Sequence, residues 1–229
     1  MSPDPAASSP PLNRALENVR LLRELKAKIP LYGEETPDAI FRRWQRLRSP
    51  ALTLAPQPYE PLWPVWFAEE RERLRAALGG RPVIEHFGST SIPGLGSKRV
   101  IDLAVALEEV EGSGEALAGL GYEPYGNSPV DTETDWYWYT GRACVFVAHV
   151  CRRGRPWLRR ALDFRDFLRA HPEERERYTA LKERLAAESG GDALRFSLGK
   201  IELFHEIFTR AAAWREGANT ADTAAKDLS

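Results

Sequence analysis

Apolar and polar positions change period several times along the chain, and each change marks an element. In LNRALENVRLLRELKAKI, residues 12–29, Leu16, Val19, Leu22 and Leu25 recur at helical spacing, and Pro30 closes the helix. Thr36-Pro37-Asp38 reads as an N-cap followed by first-turn residues, and Ile40, Phe41, Trp44 and Leu47 supply a second helical stripe. SPALTLAPQPYEP carries four prolines and predicts an extended linker. Trp63, Trp66, Phe67, Leu74, Ala77 and Leu78 form the next helical stripe, stopped at Gly79-Gly80. RPVIEHFG then reads as a short strand and VIDLAVAL as an apolar one. EGSGEALAGLG predicts a helix closed by Gly121. Asp135–Thr140 and Ala143–Val150 predict a hairpin about Gly141-Arg142. From Pro156 to about Glu216 the pattern is helical, broken at His171-Pro172 and at Gly190-Gly191.

The order helix, strand, strand, helix, hairpin, helices predicts an α/β (α+β) protein: a small mixed sheet with flanking helices, followed by a helical bundle. The expected divisions are an N-terminal extension at 1–55, an α/β core at 56–155, a C-terminal helical bundle at 156–216 and a disordered tail at 217–229. Within the extension, Pro, Ser and Ala predict disorder over the first eleven residues. Its two amphipathic helices cannot bury a core alone, so they dock on the rest, as a brace or as an oligomerisation arm.

Composition narrows the function classes. The 229 residues are 43% apolar with seven Trp, enough for a packed core. A net charge of −1 gives no global field toward nucleic acid or an anionic membrane. No basic stripe interleaved with aromatics marks a nucleic-acid surface, and no apolar run reaches the ~18 residues of a spanning helix. MSPDPAASSPPLN lacks the basic and apolar regions of a signal peptide, so the cytoplasm is the expected compartment. Cys144 and Cys151, seven residues apart on one strand, point to opposite faces; neither a disulfide nor a zinc site shared with His149 is expected.

The candidate chemistry lies in HFGSTSIPGLGSKRVIDLAVAL, which begins at His86. Gly88 permits close backbone approach, Ser89 and Thr90 add hydroxyls, and Lys98 and Arg99 follow within reach. Such a turn either cradles a phosphate or only turns a corner. Asp102 sharpens the choice. It interrupts an apolar strand, where a carboxylate is costly unless paired or bound. By alternation it shares a face with Ala104 and Ala106, opposite Ile101, Leu103 and Val105. The small residues leave room above it.

HFGSTSIPGLGSKRVIDL resembles the GrpB family of the polymerase-β-like nucleotidyltransferase superfamily. YEPLWPVWFAEERERLRAAL, ALDFRDFLRAHPE and the Tyr178…Leu181-Lys182 spacing are similar to the same family, over roughly residues 57–212. The resemblance implies a nucleotidyltransferase-like sheet whose Gly-Ser turn grips a triphosphate. It further implies carboxylates that hold Mg²⁺, which steadies the attacking and leaving oxygens. Asp102 is the metal ligand it implies. The pattern is incomplete: Ala104 stands where a second carboxylate belongs, and ACVFVAHVC offers His149 where a third belongs. Glu85, facing away from His86, and the acidic loop of Asp131, Glu133 and Asp135 are the nearby alternatives.

Two cations sit among apolar residues. Arg165 falls inside the arc of Trp157, Leu158, Ala161, Leu162 and Leu168, and Lys200 lies amid Phe204, Ile207 and Phe208. Each needs a partner. Either they form internal ion pairs, for instance with Asp102, or they converge on an anion bound at the turn. Of the aromatics in DWYWY, Trp136 and Trp138 share one face and Tyr137 and Tyr139 the other, to pack in the core or stack on a base. The expected ligand is a nucleoside triphosphate or another phosphate-bearing small molecule. Gly88, Ser89, Thr90, Lys98, Arg165 and Lys200 would bind it, with Mg²⁺ at Asp102, and Asp102 and His149 as the catalytic candidates. Nucleotidyl transfer, a non-catalytic accessory module beside a metabolic enzyme, and an internal salt-bridge scaffold remain the three readings.

Overall fold

The computed structural model describes residues 11–28, 36–37, 39, 41, 53–126, 133–141 and 143–226. Its elements in chain order are α1 (Pro11–Lys28), α2 (Trp63–Leu78), β1 (Val83–Phe87), a 3₁₀ turn (Ser89–Ser91), β2 (Val100–Leu107), α3 (Ser113–Gly119), β3 (Glu123–Gly126), β4 (Asp135–Thr140), β5 (Val145–Arg152), α4 (Pro156–Ala170), α5 (Pro172–Glu188), α6 (Ala193–Leu198) and α7 (Ile201–Lys226). The strands form one mixed sheet in the order β1-β2-β5-β4-β3. Only β2 and β5 run parallel; the other three pairs are antiparallel.

The alternation in VIDLAVAL sorts the two faces. Ile101, Leu103 and Val105 join Phe146, Ala148 and Val150 in a core covered by Trp63, Phe67 and Leu74 of α2 and Leu117 of α3. Ala104 and Ala106 form the opposite face with Cys151, under Trp157 and Ala161 of α4. Register places Asp102 beside Val147, and Ala104 beside His149. Cys144 and Cys151 are buried on opposite faces, as their spacing requires.

A second core holds the bundle. Phe164, Phe167 and Leu168 of α4 meet Tyr178 of α5 and Leu203, Ile207 and Ala211 of α7. Ile92 and Leu95, from the loop between β1 and β2, complete this cluster. The Gly-Ser turn is therefore anchored in the bundle and not only in the sheet. The proline-rich linker holds the same loop from outside: Gln57 and Ser97 exchange backbone hydrogen bonds of 2.8 and 2.9 Å.

Leu22 and Leu25 of α1 pack on Leu194, Leu198 and Ile201, and the buried Asn18 amide donates to Asp192 Oδ2 at 2.8 Å. The first helix thus docks on α6. Thr36 caps the next one, its Oγ1 accepting the Ala39 N–H at 3.2 Å; the rest of that expected helix, like residues 1–10, lies outside the described residues. The chain beyond Gly217 differs from expectation. Helix α7 continues through Lys226, where a disordered tail is expected; its four alanines and Lys226 favour the helix against Gly217, Asn219, Asp222 and two threonines. No helix among the described residues is long and apolar enough to cross a membrane.

Candidate functional site

Asp102 pairs with Phe87, the last residue of β1. Its carboxylate leans on the Gly88 backbone. A Cβ at Gly88 would sit 2.2 Å from Asp102 Oδ2, and Gly88 adopts φ 70°. Asp102 therefore demands this glycine, whatever ligand the turn accepts. The other carboxylate oxygen, Oδ1, accepts the His149 Nε2–H at 3.2 Å. His149 is 5% exposed and ringed by Phe87, Trp136 and Trp157. Its Nδ1 is buried without a hydrogen-bond partner among the described residues. The two catalytic candidates thus stand side by side.

The hydroxyls of the turn divide. Thr90 is 0% exposed; its Oγ1 donates to Val100 O at 2.9 Å and accepts from His86 Nε2 at 3.0 Å. That hydroxyl latches the turn to β2 and offers nothing to a ligand, contrary to the expectation from sequence. His86 supports the latch, stacked on Phe67 at 4.7 Å, and burial pushes its pKa down to about 4. Ser91 Oγ closes the turn on Gly88 O at 2.7 Å. Ser89 faces the bundle instead, its Oγ accepting from Lys182 Nζ at 3.4 Å.

Three lysines gather beside Ser89 and Asp102. Lys98 and Lys200 both lie over the Phe196 ring, with Nζ at 4.9 and 4.8 Å from its centroid. Lys200 also faces Phe204 at 5.3 Å, and Lys182 sits over Tyr178 at 4.4 Å. Cation–π contact is the main compensation these ammonium groups receive. Lys182, 3% exposed, also donates to Ser89 Oγ and Gly96 O. Among the described residues, no carboxylate lies within ion-pair distance of any of the three. Burial lowers all their pKa values: Lys182 to about 7 with a push from Lys98, and Lys200 well below its ordinary value with pushes from Lys98 and Lys182. Lys98 is lowered by burial too, while the Asp102 charge works the other way on Lys98 and Lys200.

Arg165 does not join them. Its guanidinium donates to Asp166 at 2.8 Å, to Glu85 at 3.1 Å and to the His86 carbonyl at 3.0 Å. Although burial opposes its charge, these carboxylates raise its pKa. The ion-pair alternative holds for Arg165, with Glu85 and Asp166 as partners and not Asp102. The same contact removes Glu85 as a spare carboxylate.

Lys182 is the residue that sequence reasoning passed over as a ligand group. The signal was present: Tyr178, Leu181 and Leu185 place it on the one apolar stripe of an otherwise polar helix.

The donor set fits a two-ion magnesium centre poorly. Among the described residues, no three His, Cys, Asp or Glu side chains gather where they could hold a metal. Asp102 is a single carboxylate, engaged by His149 and pressed on Gly88, and Ala104 is buried under α4. Mg²⁺ prefers several oxygen ligands in octahedral array. In the acidic loop, Glu133 is bound to α4, its Oε2 accepting the Trp157 N–H and its Oε1 pairing with Arg160; Asp131 lies outside the described residues.

Fold and site together define a mixed α+β protein with flanking helices and a cluster of lysines beside a Gly-Ser turn. The family model for GrpB protein matches residues 54–210, and the chain belongs to the GrpB family. It is 32% identical over 168 residues to the UPF0157 protein YqkA of Bacillus subtilis, a match covering 72% of this chain and 49% of YqkA. The chain thus spans about half the length of that relative. It is also 32% identical to the UPF0157 protein BH1888 of Halalkalibacterium halodurans, covering 68% of this chain and 80% of that one. A crystal structure of conserved protein GrpB from Enterococcus faecalis aligns with a TM-score of 0.60 and 27% identity, over 68% of this chain and 95% of the other. A protein of Mycolicibacterium paratuberculosis named dephospho-CoA kinase is 26% identical over 75% of this chain and 48% of its own length.

Proposed function

We propose that the lysine cluster beside the Gly-Ser turn binds a nucleoside triphosphate or a related phosphate-bearing small molecule, with Lys98, Lys182, Lys200 and Ser89 as the anion-binding groups. One observation carries this reading. Three lysines, Lys182 buried and Lys98 and Lys200 half-buried, are brought together without a carboxylate in ion-pair contact. Placing ammonium groups together in this way costs stability, and an anion repays that cost when it binds. Phosphate is the fitting anion because several point charges and a hydroxyl can share its oxygens. The resemblance to nucleotidyltransferases, whose Gly-Ser turn holds a triphosphate, supports the same ligand class.

Binding without transfer is the activity this geometry supports best. Nucleotidyl transfer in that superfamily relies on carboxylates that Asp102 alone does not supply. A single Mg²⁺ would share Asp102 with the ligand's own phosphate oxygens.

Calorimetric titration of ATP, CTP, GTP, UTP and pyrophosphate, each with and without Mg²⁺, tests the reading on the wild type and on Lys200→Met. The expected result is binding by the wild type and its loss in the variant. Failure of all five to bind at millimolar concentration would overturn it. A second reading concerns the partner: the similarity to part of a protein named dephospho-CoA kinase supports an accessory role beside such a metabolic enzyme. Co-elution of the two purified proteins tests it, and separate elution at micromolar concentrations counts against it.

A further inference from the structure

The lysines also bear on how an anion is received, an inference that rests on the ligand reading above. Lys98 enters from the loop before β2, Lys182 from α5 and Lys200 from the turn between α6 and α7, with Phe196 of α6 beneath two of them. The titratable and charged groups around the trio are Asp102 of β2, with His149 of β5 behind it, and Tyr178 and Glu183 of α5. Asp102 is the one carboxylate acting on both Lys98 and Lys200, and its Oδ1 is already engaged by His149. Glu183 is exposed on α5 and acts on Lys182 from a distance, outside ion-pair contact. Aromatic rings stabilise a cation but neutralise nothing. Three full charges, pressed together with one shared and distant carboxylate, repel one another in a poorly solvated space.

We infer that without a bound anion this lysine cluster holds fewer than three protonated lysines, and that a multiply charged phosphate ligand draws protons from solution as it binds. The step is a protonation: a neutral ε-amine takes H⁺ from the buffer and becomes the ammonium that the phosphate oxygens bind. The site thereby matches its charge to a polyanion. A monoanionic carboxylate cannot repay the protonation and binds weakly. Lys182 is the residue best placed to switch near neutrality, because burial and Lys98 bring it to about 7.

The probe is ATP, titrated near pH 8 in buffers of different ionisation enthalpy. At that pH the ligand's phosphates are already ionised, so its own titration contributes little. The heat should vary with buffer in the sense of proton uptake. Affinity should fall by up to about tenfold per pH unit above neutrality for each proton taken up. Lys182→Arg, whose charge is permanent, should bind with reduced uptake and a flatter pH profile. ATP binding with no buffer dependence would overturn this inference and leave the ligand reading standing. No binding by the wild type would overturn both. The wild-type measurement decides the matter even where a variant does not fold.

Discussion

Two groups of basic side chains meet the bundle, and they are built on opposite terms. Along α4, Arg165, Arg169 and Arg215 surround Asp163, Asp166 and Glu85, with N–O distances of 2.8 Å from Arg215 to Asp163, from Arg215 to Asp166 and from Arg165 to Asp166. Arg169 also clasps the Ser91 carbonyl, tying this network to the turn. Beside the same turn, Lys98, Lys182 and Lys200 have aromatic faces, one serine hydroxyl and a backbone carbonyl. The arginines are satisfied within the fold and hold its parts together. The lysines are left incompletely neutralised at a fixed place. Charge alone therefore does not separate the two groups; the presence or absence of a neutralising carboxylate does.

The largest expected effect separates the two groups directly. Lys200→Met should weaken phosphate-ligand binding about 100-fold while leaving the unfolding free energy unchanged or raising it by about 1 kcal/mol, since a half-buried cation outside ion-pair contact is replaced by an apolar chain. Calorimetry and urea denaturation read the two quantities. Gly88→Ala should cost about 3 kcal/mol, because the new methyl collides with Asp102 at a positive φ. Gly94→Ala, also at positive φ but with nothing within 4 Å, should cost about 1 kcal/mol in the same denaturation series. Arg165→Met should show the reverse of Lys200→Met: about 1–2 kcal/mol of stability lost, because Glu85 and the His86 carbonyl lose the guanidinium while Asp166 keeps Arg215, with affinity within about twofold of wild type.

The smallest effect is a pH dependence of stability. Lys182 has a folded pKa below its unfolded one, so the unfolded chain binds more protons between about 7 and 10.5. Stability should therefore rise with pH through this window, by about 1–2 kcal/mol from pH 7 to pH 9, and the rise should flatten in Lys182→Met. His86 acts on the acid side. Its folded value of about 4 lies below 6.5, so stability is lost as pH falls between those values. Thermal melts across both windows check the two signs.

Where one strand or helix decides the answer, the sequence is readable. Alternation in VIDLAVAL puts Asp102 on the small-residue face, and the structure keeps it there. The helical wheel likewise marks Lys200 and Arg165 as cations in apolar arcs. Their fates diverge because the partners come from elsewhere in the chain. Glu85 reaches Arg165 across 80 positions, and only the β1–β2 register and the seating of α4 bring them together. Thr90 illustrates the same limit, since the carbonyl that takes its hydroxyl belongs to Val100 across the loop. Lys182 was hidden by the polar surroundings of PEERERYTALKERLAAE, and its role rests on the approach of α5 to the Gly-Ser turn. Glycine at position 88 is equally instructive: its spacing fits a phosphate turn, but the atom that forbids a side chain there is Asp102 Oδ2.

The most direct test of the contrast is a crystal structure of the protein soaked with ATP. The account predicts triphosphate density within hydrogen-bond distance of Lys182 and Lys200 and of the Ser89 hydroxyl, with the Arg165 ion pairs unchanged. Phosphate density seated on Arg165 or Arg169 instead, with none at the lysine cluster, would contradict it.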